Sequence, residues 1–181
     1  MSDSYMNLND ELGFFKNLNL DIQTRRAVFK KFEDEMKKTN LTIYNDFMAI
    51  SWYGYVASQL SDCRKFFDRD GNARSFQFVV RNIKDSVIQG KHNILFERWK
   101  NDKLETVLNK YLLHADKRVS EVATEVSAKT LNAFIDELEN YLKEIVDDLN
   151  KNYSGIGSLN YEGYLKDRER EVEVFFEEVR K

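Results

Sequence analysis

The residues best suited to acid–base or phosphate chemistry lie in the run from Leu104 to Arg118. His114 is one of two histidines in the chain and sits where two helical patterns meet, with Lys110, Lys117 and Arg118 close by in sequence. A histidine near cations stays neutral at physiological pH and can serve as a base. Cations beside it can hold a phosphate and stabilise the charge that develops during its transfer. The plainer reading is a helix-capping or surface histidine, and chemistry alone favours that one.

Other motifs carry less. Asp68-x-Asp70-Gly71-Asn72 has its glycine fourth and Val79 in the twelfth place, where a calcium loop needs glycine sixth and a carboxylate twelfth, so it reads as an inter-helix turn. Gly155-Ile156-Gly157 lacks the third glycine of a dinucleotide loop, and no Walker lysine, nucleophile elbow or His-Glu-x-x-His sequence is present. Cys63 stands between Asp62 and Arg64; a small helix-packing cysteine explains it better than a nucleophile. The doublets Asp147/Asp148 and Glu177/Glu178 read as solvated helix faces, because neighbours on a helix point about 100° apart. Phe14/Phe15, Trp52/Tyr53, Phe66/Phe67 and Phe175/Phe176 read as core, and Gly54 as a point of close helix approach.

Those groups must be positioned by helices. The chain of 181 residues contains no proline and seven glycines, so little interrupts a helix. Lys and Arg total 28 against 31 Asp and Glu, a net charge of −3, which disfavours non-specific nucleic-acid binding unless basic residues gather locally. A single cysteine and two histidines exclude a disulfide framework and leave little for a metal site, and no metal or cofactor is expected. The first residues lack the basic and apolar regions of a signal peptide, and no run is apolar enough to cross a bilayer, so a cytoplasmic location is expected.

Apolar spacing predicts helices over residues 21–38, 42–67, 73–88 with Gly90 closing the last, and 93–113 with a nick at Asn101-Asp102. The clearest stripe is Leu131, Phe134/Ile135, Leu138, Tyr141/Leu142, Ile145/Val146 and Leu149. A helix carrying it from near Asp116 is roughly 50 Å long. Residues 154–158 then read as a flexible loop, and residues 161–179 as a docked amphipathic helix using Tyr164/Leu165, Val172, Phe175/Phe176 and Val179. No repeat or composition shift divides residues 1–181. The expected fold is all-α, one antiparallel up-and-down bundle of about five to six helices.

Two stretches resemble the HEPN superfamily, small helical bundles of prokaryotic toxin–antitoxin and abortive-infection systems. Residues 60–70 followed by residues 75–80 are similar to a helix–turn–helix of the abortive-infection branch, with Asp68-Arg69-Asp70 matching its "D-K/R-D" turn. Residues 109–117 resemble the family signature: a polar residue at Asn109, a short spacer, His114 and a further acid at Asp116. Together they cover 26 of the 181 residues, about one seventh of the chain.

Active HEPN nucleases carry R-x(4–6)-H, whereas here Val107, Leu108 and Asn109 occupy the arginine positions, with Leu108 aligned to it. The resemblance implies a homodimer whose two protomers meet at the motif, RNA as ligand, metal-independent endoribonuclease chemistry that is weak or lost, and a cognate antitoxin or defence protein as partner. His114 is then the acid–base residue, with Asn109 and Asp116 orienting it. Lys110, Lys117 and Arg118 are the phosphate contacts on their chemistry. Leucine brings neither charge nor donor to replace arginine. Three readings stay open: an RNA- or partner-binding bundle without turnover, a weak nuclease using Lys110 or Arg118 as substitute cation, and an oligomeric interaction module without a nucleic-acid role. Clustering of Lys103, Lys110, Lys117 and Arg118 about His114 discriminates among them.

Overall fold

The absence of proline has its largest effect at the start of the chain. In the computed structural model, which describes residues 3–38, 44–68, 76–109 and 127–179, the first helix, α1, runs unbroken over Asp3–Lys38. Asn7, Asn9, Gly13, Asn17 and Asn19 are weak helix formers, which is why spacing alone placed its start near residue 21. Leu8, Leu12, Phe15, Leu18 and Ile22 nevertheless recur at helical spacing, and all are buried. Tertiary burial of that stripe outweighs the poor local propensity.

The remaining helices are α2 (Tyr44–Lys65), α3 (Phe76–Arg81), α4 (Ser86–Asn101), α5 (Leu104–Val107), α6 (Ala128–Asn152) and α7 (Glu162–Val179), with no strand among the described residues. Among the described residues the fold is an all-α helical bundle of five long helices and two short ones. Partner pairs give its directions. Arg25 with Asp62, and Phe29 stacked 4.5 Å from Tyr55, set α1 and α2 antiparallel. Lys91 with Glu144 at 2.6 Å and Trp99 with Phe134 at 5.5 Å do the same for α4 and α6. Tyr161 with Lys16, Lys31 with Glu173 and Phe32 with Phe176 run in step, so α7 lies parallel to α1.

The third expected helix divides in two. After Arg81 the chain leaves the helix, and Asp85 caps α4 by accepting from the Val87 and Ile88 amides at 2.8 and 3.3 Å. Gly90 therefore lies inside α4 rather than closing a helix; a Cβ there would meet nothing within 4 Å. The linker between α3 and α4 is tied down by Asp148, whose carboxylate accepts from the Lys84 amide at 3.0 Å. Asp148 is 5 % exposed, so it is a buried anchor and only Asp147 belongs to a solvated face. The nick at Asn101-Asp102 is present: Asp102 ends α4, and Lys103 takes a left-handed φ of 60°.

In α6 every residue of the apolar stripe from Leu131 to Leu149 is buried. Its start differs. Ser127 is extended, and its Oγ accepts from the Thr130 amide at 3.0 Å, so α6 begins at Ala128 and is about 37 Å long rather than 50 Å. The segment after it is seated, not loose. Gly155 and Gly157 have φ of 82° and 73°, a backbone that L side chains resist, and this directs Ile156 inward to 3 % exposure. Lys16 Nζ donates to the Ile156 carbonyl at 2.7 Å, Asn150 Nδ2 to Gly157 at 2.9 Å, and the Tyr161 hydroxyl to Lys16 at 2.9 Å. α7 then docks chiefly through Phe176, while Tyr164, Phe175 and Val179 of the expected stripe face solvent.

Removing the Asp148 anchor tests this account. Asp148→Ala leaves the Lys84 amide without its acceptor and should lower stability by about 1–3 kcal/mol in chemical denaturation. Asp148→Asn retains an acceptor oxygen and should lose less; equal losses in both variants would show that the hydrogen bond is not the cause.

Candidate functional site

The run singled out for chemistry begins on α5. Leu104, Val107 and Leu108 are all buried and pin this short helix to the core, and Leu108-Asn109 wind as a wider π-type turn. Asn109 emerges half-buried at its end. Leu108, aligned with the arginine of the HEPN signature, is 2 % exposed and belongs to the hydrophobic cluster. Its place is therefore structural. Lys103 is exposed at the other end of α5. Lys110, His114, Asp116, Lys117 and Arg118 lie outside the described residues, as do Arg69 and Asp70 of the turn matched to the abortive-infection branch.

Cys63 illustrates how position on a helix decides reactivity. Its side chain is fully buried, and burial, reinforced by the Asp62 carboxylate, pushes its thiol up to about 12. Arg64 is exposed on another face and does not activate it. Asp62 is occupied instead by Arg25 of α1 and by Lys65 at 2.5 Å. Cys63 packs; it does not attack.

Three surface concavities among the described residues bear on function. An apolar groove of about 380 Å³ lies between α1 and α2, lined by Val28, Phe29, Phe32 and Tyr55. Gly54 borders it with open space over its Cα, so this glycine widens a groove and is not a point of helix contact. A second, of about 290 Å³, lies between α4 and α6 around Ile94 and Tyr141, flanked by the Lys91–Glu144 pair. The third, of about 330 Å³, opens between α3 and α4. It is lined by Gln77, Val80 and Arg81 from α3 and by Gln89, His92 and Asn93 from α4.

His92 carries no motif-level signal in the sequence. It is a single histidine in a helical run, with no motif around it. The available signal was a pair of matching i, i+3, i+4 triplets, 77/80/81 and 89/92/93, which put polar groups on one face of each helix. Only the packing of α3 on α4 makes them face each other. Among the described residues no three His, Cys, Asp or Glu side chains converge to hold a metal ion, and no helix is long and apolar enough to cross a membrane.

Two outcomes follow from these placements. Leu108→Arg forces an uncompensated charge into the core and should cost about 3–5 kcal/mol in denaturant unfolding, so it cannot serve as a simple restoration of the family arginine. Cys63 should react with a thiol reagent at pH 8 only at the rate of protein opening, and rapidly once the chain is unfolded. Because the folded thiol holds its proton more tightly than the unfolded one, stability should fall as pH rises from 9 towards 12, and less so in Cys63→Ala. Fast labelling of the folded protein would contradict its burial.

Comparison with protein-family models, with curated proteins and with solved structures gives no match for this chain.

Proposed function

We propose that this protein is a HEPN-like helical bundle that engages RNA in the cytoplasm through the segment following α5, binding rather than efficiently cleaving it. The observation that carries this reading is Leu108: the position aligned with the family arginine is a core leucine at the root of that segment. Without a guanidinium the phosphate loses its bidentate partner, and turnover by the metal-independent route is weak or absent. Support for RNA as ligand comes from the all-α architecture, which the resemblance requires, and from Lys110, His114, Lys117 and Arg118 within nine residues of sequence. In this reading His114 handles any proton transfer, Asn109 and Asp116 orient it, and the three cations contact phosphates. A homodimer about this segment, and a cognate antitoxin or defence protein as further partner, belong to the same proposal.

A second reading, a homodimeric interaction module without RNA, is favoured by one observation. Val87 and Ile94, seven residues apart on one face of α4, are 69 % and 68 % exposed.

The test is a labelled structured RNA incubated in EDTA with the parent, with His114→Ala and with Lys110, Lys117 and Arg118 changed together to alanine. The parent should bind, and the triple variant should bind at least tenfold more weakly. Each lost phosphate contact should reduce the salt dependence by about one unit of slope. Any cleavage should vanish in His114→Ala with helical content unchanged. Failure of the parent to bind, together with a stable dimer, would sink the RNA reading in favour of the interaction module.

A further inference from the structure

We propose that the cleft between α3 and α4 is a binding site for a nucleoside monophosphate, independent of the RNA reading above. Among the described residues its lining contains one guanidinium, one imidazole and three primary amides, with Val80 as an apolar floor and no carboxylate. Arg81 is exposed, and among the described residues no carboxylate pairs with it. A site with this donor excess selects an anion, and a planar fork together with amide N–H groups suits the oxygens of a phosphate.

The rest of the cleft adds a second requirement. Gln89 donates its Nε2 to the Ile83 carbonyl at 2.6 Å, which fixes the amide and leaves its Oε1 as an acceptor. His92 is 6 % exposed, and its ring is held among Phe67, Phe76 and Tyr141 at centroid distances of 5.6, 5.8 and 6.3 Å. Packing therefore sets the orientation of the imidazole before any ligand arrives, so little side-chain freedom is lost there on binding. A fixed acceptor beside an anion-selecting arginine matches a heterocycle bearing N–H groups joined to a phosphate. The volume, about 330 Å³, lies at the lower end of the range for small-molecule sites, about 300–1,000 Å³, and fits a mononucleotide better than a larger cofactor.

Calorimetric titration of the full chain with inorganic phosphate, adenosine 5′-monophosphate and uridine 5′-monophosphate decides the matter. At least one nucleotide should bind with Kd of about 1 mM or tighter, at least tenfold more tightly than inorganic phosphate. Arg81→Ala, at an exposed position, should weaken that binding at least tenfold without moving the ligand-free melting temperature, and Gln89→Ala should reduce the preference over inorganic phosphate. No heat with either nucleotide overturns the proposal, as does unchanged affinity in Arg81→Ala. Inorganic phosphate binding as tightly as both nucleotides removes the nucleoside and overturns it in that form.

Discussion

Phe15, Phe66 and Phe76 form the contact on which the rest of the bundle depends. Their ring centroids lie 4.7 to 5.1 Å apart, tilted or edge-on, and they join α1, the end of α2 and the start of α3. Such pairs contribute beyond the area they bury because ring edges meet ring faces. Phe76 also reaches His92 and Tyr141, and Phe67 extends the cluster to Trp99 and Phe134. One aromatic seam thus connects α1, α2, α3, α4 and α6. The position of α3 against α4, and with it the shape of the polar cleft, is a consequence of that seam.

Polar groups then fix what apolar packing leaves undetermined. Hydrophobic burial is non-directional, so it does not choose where a helix should break or which loop should lie flat. Asp148 places the α3–α4 linker, Lys16 and Tyr161 place the α6–α7 segment, and Gln59 Nε2 donates to the Ile22 carbonyl at 2.9 Å to register α2 on α1. Each uses a long-range partner, from 37 to 145 residues away in sequence. Arg25, Asp62 and Lys65 add a partly buried ion group beside Cys63, and the same burial that favours packing of that thiol removes its reactivity.

The chemistry proposed for the chain divides along the same line. On α5 the apolar residues Leu104, Val107 and Leu108 face inward because they are needed to seat a helix of four residues. A helix that short has almost no intrinsic stability and exists only through its buried side chains. Leucine at position 108 is therefore accounted for by packing, and catalytic reach is absent from it. On α4 the opposite holds. Its buried face is Leu95, Trp99 and His92, and the last of these supplies a polar atom at the rim of an otherwise aromatic layer.

The sequence by itself determined the helical class, the full buried stripe of α6, the nick before α5, the extent of α7 and the packing role of Cys63. All of these rest on local spacing or on the chemistry of a single residue type. Only tertiary structure decided the first half of α1, where burial of Leu8, Leu12 and Phe15 overrides asparagine-rich propensity. The same is true of the passage of α4 through Gly90, the burial of Asp148 and the seating of Ile156. The resemblance directed attention to Leu108 by alignment, but its neighbours in space made it a core residue. His92 was invisible for the same reason: a cleft is a relation between α3 and α4, and helical periodicity describes each helix alone.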